Sequence, residues 1–110
     1  MKVTITSIEL KDPFKFFALS YRAMHILRQL KATNCLAMKK RGYWIKHYTM
    51  TLWKSEQDLK KFAMSGAHLA AMKASKSLAK EIRTITYEAD SLPDWPTAEI
   101  MLKKAHVIHY

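Results

Sequence analysis

The stretch Thr51–Met72, TLWKSEQDLKKFAMSGAHLAAM, restricts the possible folds more than any other part of the chain. A β-rich run ends at Trp53, and Ser55 then opens a helix with Asp58 in the acid position of a capping box. A Ser65–Gly66 break leads into a second helix that carries His68. A strand that passes directly into two helices points to a small α+β domain.

The flanking residues extend the pattern. Alternation predicts a strand over 3–10. Asp12 followed by Pro13 is a helix start, because proline at the first helical position gives up an N–H that would have no partner there. The helix is expected to reach about residue 31, with Phe16, Leu19, Ala23, Ile26 and Leu30 on its buried face. Phe17, Tyr21 and Met24 widen that stripe, so this helix is expected to touch a second surface as well.

Thr33–Asn34 breaks the helix, and a hairpin follows, with strands over 35–40 and 43–53 and a turn at Arg41–Gly42. Leu59, Phe62 and Ala63 give the short helix its buried side. A longer helix is predicted over 67–80 and a strand over 83–89. Leu92–Pro96 reads as a rigid connector, with a C-terminal helix over 96–104 and a frayed end or short edge strand after it. This order is the ferredoxin-like split βαβ of an α+β protein. A four-stranded antiparallel sheet carries its two main helices on one face, in one domain over residues 1–110.

In the second hairpin strand, Trp44, Tyr48, Met50 and Leu52 fall on one side and Tyr43, Ile45 and Trp53 on the other. Large apolar groups on both sides call for cover on both, so one sheet face is expected to meet a second subunit.

Chemistry is less legible. With only Gly42 and Gly66, the chain has no nucleotide-binding glycine loop, P-loop or hydrolase elbow. Its one cysteine, Cys35, cannot make an internal disulfide, and no His, Cys and Asp cluster has zinc spacing, so no metal site is expected. No apolar run approaches the roughly 20 residues of a membrane span, and no signal-peptide core follows Met1. A cytoplasmic location is the expectation.

The net charge of +10 attracts anions. The cations are scattered, as on a solvated face. The alternatives are a polyanion or nucleic-acid module using Lys39, Lys40, Arg41 and Lys46, with Tyr43 and Trp44 stacking on bases, or an interaction domain without chemistry.

His68, Met72, Ser75 and Ala79 share one helical face by spacing. A histidine in a first helical turn is held neutral by the helix dipole and can act as a base, ligate a metal or haem, or orient a substrate. It can equally be a capping histidine. Trp44, Trp53 and Trp95 with Phe62 would either line a pocket for a flat ligand or fill the core.

The run Thr51–Met72 resembles the strand-to-helix signature of the antibiotic-biosynthesis-monooxygenase-like, dimeric α+β barrel superfamily. In that signature a tryptophan ends a strand, a Ser or Asp caps the helix, and Leu-x-x-Phe precedes a Ser-x-x-His turn. The resemblance implies a homodimer with sheets packed face to face and a pocket between helices and sheet in each subunit. It implies a small hydrophobic or aromatic ligand, and a cofactor-independent monooxygenase acting on an aromatic or isoprenoid substrate. His68 would orient or deprotonate the substrate, while Trp53, Phe62 and Met72 would shape the cavity. Haem-degrading relatives use an asparagine on the first strand, then a tryptophan and a histidine. Here those last positions fall at Phe62 and Met72, and the first strand has no asparagine, so no cofactor is expected. His68 suits uncharacterised relatives with histidine directly after Ser-Gly-Ala.

Overall fold

Strand β1 (Lys2–Leu10) forms the centre of the sheet because both of its neighbours bond to it along nearly its whole length. The computed structural model describes residues 1–31, 35–64 and 66–109. The breaks expected at Thr33–Asn34 and Ser65 lie outside the described residues. After β1, Asp12 accepts hydrogen bonds from Phe14 N and Lys15 N, and the 3-10 turn Pro13–Lys15 runs into α1 (Phe16–Lys31). The hairpin β2 (Cys35–Tyr43) and β3 (Lys46–Trp53) follows, then α2 (Glu56–Ala63), α3 (Gly66–Leu78) and β4 (Ala79–Glu88). The chain closes with α4 (Trp95–Leu102) and β5 (His106–His109).

All strand pairs are antiparallel and the order is β2-β3-β1-β4-β5. The first four are in the ferredoxin-like order that the sequence implies. The sheet has five strands instead of four, because His106–His109 pairs with Glu81–Thr84 and is the edge strand rather than a frayed end.

Three boundaries differ from expectation. The hairpin turns at Trp44–Ile45, since Gly42 still pairs with His47 and Tyr43 with Lys46. Trp44 therefore stands at the tip, apart from Tyr48, Met50 and Leu52. Strand β4 begins at Ala79, four residues early, so the helical face assigned to His68, Met72, Ser75 and Ala79 ends before its last member. Trp95 belongs to α4, where Asp94 caps the helix by accepting from Thr97 N at 2.8 Å.

Register assigns the two faces. Val3 and Ile5 share a face with Met50, Leu52, Ile85 and Tyr87, and Ala98 and Leu102 of α4 close over it. Val3, Ile5, Met50, Leu52 and Leu102 each contribute about 1.5–3 kcal/mol on burial. The apolar half of this face is thus covered from within the chain, whereas its other half carries charges. The opposite face carries the helix layer, anchored where Phe62 meets Trp53 and Phe16 meets His47. Six threonines lie between those anchors: Thr4 and Thr6 on β1, Thr49 and Thr51 on β3, Thr84 and Thr86 on β4, all in register.

Candidate functional site

The corner where β3 enters α2 is built as the sequence suggests. Ser55 accepts from Asp58 N at 3.2 Å and donates to the Asp58 carboxylate at 3.1 Å, a capping box with a shortened acid. Directly before it, Trp53 is 0% exposed and stacks at 5.2 Å on Phe62, which is 6% exposed. The indole Nε1 donates to Thr51 Oγ1 at 2.8 Å, so its polar atom is satisfied inside the fold. Trp53 and Phe62 come together, but they fill space where the pocket reading needed them to border it. Met72 is half exposed on α3. The backbone places His68 in the first turn of α3, and its side chain lies outside the described part of the structure.

Among the described residues, two hollows stand out as open to a ligand. One is a groove of about 260 Å³ between α1 and α3, lined by Tyr21, Arg22, His25, Gly66 and Ala70. Tyr21 and His25 are one helical turn apart, and their rings meet edge to face at 4.6 Å. Arg22 stands 6.0 Å from the Tyr21 ring. Gly66 has φ 57°, a conformation that favours glycine, and a Cβ there would come within 3.1 Å of the Gln29 side-chain amide on α1. His68 lies between Gly66 and Ala70 in sequence. The sequence signal for this pair is the i, i+4 spacing of Tyr21 and His25.

The other hollow, about 460 Å³, opens on the charged half of the α4-bearing face. Glu9, Glu81 and Glu99 line it together with Lys46, Arg83 and Lys103, so its charges balance. A hydrogen bond from Arg83 holds the Glu81 carboxyl below its ordinary range. Such a wall suits a small ligand with both signs of charge.

Beside it, the Arg41 guanidinium lies 4.9 Å from the Trp95 ring and 5.4 Å from the Tyr48 ring, and pairs with Glu99. Trp95 is thereby part of a packed stack. Arg41 is committed to this stack, and Lys39, Arg41 and Lys46 face the side opposite Lys40. Lys40 is thus split from the other three hairpin cations, whose face also carries Glu9, Glu81 and Glu99, and the side chain of Tyr43 lies outside the described part. Among the described residues, no group of three or more His, Cys, Asp or Glu is placed to hold a metal ion. Burial pushes the Cys35 thiol up, which leaves it a poor nucleophile.

No protein-family model matches the sequence, and no curated protein matches it. Solved structures do match by shape. A proposed antibiotic biosynthesis monooxygenase from Deinococcus radiodurans superposes with a TM-score of 0.73 at 14% identity, covering 86% of this chain and 97% of that one. A conserved protein from Methanosarcina mazei gives 0.72 at 13% identity, with 81% and 92% covered. A proposed antibiotic biosynthesis monooxygenase from Nitrosomonas europaea gives 0.70 at 12% identity, with 83% and 100% covered. The chain has the fold of the antibiotic-biosynthesis-monooxygenase-like proteins.

Proposed function

We propose that the protein is a homodimeric small-molecule-binding protein, monooxygenase-like, that takes an aromatic or isoprenoid ligand in the groove between α1 and α3. The observation that carries this reading is the Tyr21–His25 ring pair lining a groove between α1 and α3 whose far side is Gly66 and Ala70. The likeness in fold to proteins described as monooxygenases supports the reaction class. An aromatic wall and a nearby imidazole are what an acidic phenol or ketone needs in order to bind and lose a proton.

In this reading His68 orients or deprotonates the substrate, with His25 as the second imidazole beside the ligand. Trp53 and Phe62 hold the β3–α2 corner on which α3 depends, and Met72 adds apolar surface. Carbon deprotonated beside a phenol or ketone can reduce oxygen directly, so that a CH2 group and O2 become C=O and H2O without a bound cofactor. The homodimer would close the charged half of the α4-bearing face, placing the larger hollow inside the assembly.

The test is oxygen uptake with a panel of hydroxylated polycyclic aromatics and isoprenoid quinols, together with light scattering for subunit number. Turnover that falls with His68→Ala or His25→Ala at unchanged stability supports the catalytic reading. Turnover equal in all three proteins removes both histidines from it, and a monomer removes the dimer.

A further inference from the structure

The start of α1 and the hairpin tip carry an aromatic patch that neither the fold nor the groove uses. Phe14 is 82% exposed, Phe17 74% and Trp44 74%. They belong to different elements but to one end of the molecule. His47 ties the elements together, since its ring stacks on Phe16 at 5.6 Å while its Nε2 lies 3.2 Å from the Trp44 carbonyl. Phe16 in turn meets Phe17 edge to face at 6.0 Å. The stripe continues along α1 through Tyr21 and Met24, in steps of three and four residues.

Trp44 is also in an expensive conformation. It is the first residue of a two-residue hairpin turn, with φ 53°, a position that such turns give to glycine or asparagine. The chain keeps a large aromatic residue there against backbone preference, and turns it to solvent.

Cations outnumber acids around the patch. Residues 16–31 contain Arg22, Arg28 and Lys31 and no Asp or Glu, while Lys11 and Lys15 stand close to Phe14 and Phe17 in the chain. Asp12, the acid nearest in sequence to Phe14, spends its carboxylate on Phe14 N and Lys15 N. A second copy docked here would oppose cation to cation on a chain already at +10.

From this geometry we infer that Phe14, Phe17 and Trp44 insert into an anionic lipid surface, with α1 lying along the interface and its flanking cations on the headgroups. Aromatic residues standing clear of the fold beside lysines are the pattern of interfacial attachment. No described helix is long and apolar enough to cross a membrane, so attachment is peripheral.

The experiment compares vesicles of phosphatidylcholine mixed with phosphatidylglycerol against phosphatidylcholine alone, by co-sedimentation and tryptophan fluorescence. Trp53 is fully buried and Trp95 is packed against Arg41 and Tyr48, so a blue shift on mixed vesicles that disappears in Trp44→Gly belongs to Trp44. The wild-type chain is expected to bind mixed vesicles only, and to release as salt screens the headgroups. Trp44→Gly and the double variant Phe14→Ser, Phe17→Ser should each lower partitioning by about tenfold or more while remaining folded, since insertion loses its apolar area. Absence of binding to mixed vesicles overturns the inference. So does partitioning unchanged in both variants, or self-association or nucleic-acid binding that the same variants abolish without any effect on vesicles.

Discussion

The rings of Trp53 and Phe62 lie 5.2 Å apart, tilted by 33°, and join the end of β3 to the short helix that follows it. Both are buried, and the indole N–H is satisfied by Thr51. Phe62→Ala opens a void under Trp53 and should cost about 3 kcal/mol, whereas Phe62→Leu should cost about 1 kcal/mol. Urea unfolding measures both. Equal costs for the two would mean that the ring stack is not what holds the corner.

Arg41 is held by shape as well as charge. Its guanidinium lies beside the Trp95 and Tyr48 rings and pairs with Glu99. Arg41→Lys keeps the charge and loses the plane, so it should destabilise by about 1 kcal/mol. Glu99→Gln should cost less, because that ion pair is part-exposed and screened. Thermal melts in low and high salt separate the two: the Arg41→Lys loss should persist in high salt and the Glu99→Gln loss should fade.

The Glu81 carboxyl is held below its ordinary value of 4.5, chiefly by the hydrogen bond from Arg83. A depressed folded value means that the stabilisation is complete above 4.5 and is lost as pH falls through the folded value. Unfolding free energy should therefore decline below pH 4.5, and Glu81→Gln should flatten part of that decline. An acid limb identical in both proteins would place the lost stability elsewhere.

The hairpin tip gives two substitutions of opposite sign. Trp44→Gly relieves a left-handed residue and should raise stability by about 1 kcal/mol. At Gly42, an added Cβ would meet His47 Nδ1 at 2.2 Å, so Gly42→Ala must push the ring off Phe16 and should lower stability. Melting temperatures report both. A stabilising Gly42→Ala would show that His47 moves freely.

The parts that were legible in the sequence are those set by local chemistry. Ser55 and Asp12 announce their helices because a side-chain oxygen before an apolar period has few other roles. Strand order followed from element order, because few topologies suit β-α-β-β-α-β. The hairpin turn was misplaced because Gly42 looked like the turn residue, while its smallness serves the His47 ring across the strand pair. Trp44 at positive φ breaks the turn rules that the expectation relied on. Which residues cover Val3 and Ile5 was not legible, because α4 has no strong amphipathic period from which to read its docking. The Tyr21–His25 groove was missed for another reason: it depends on how α3 crosses α1, and spacing within one helix does not encode that.

The proposed function puts a flat apolar ligand in the space between α1 and α3, and filling that space tests it most directly. Ala70 is an exposed α3 residue on the groove wall, and Ala70→Trp should occupy the groove without disturbing the core. Calorimetric titration with a hydroxylated polycyclic aromatic should show binding to the wild-type chain and a loss of about tenfold or more in Ala70→Trp at equal melting temperature. Equal affinity in the two proteins would contradict the account.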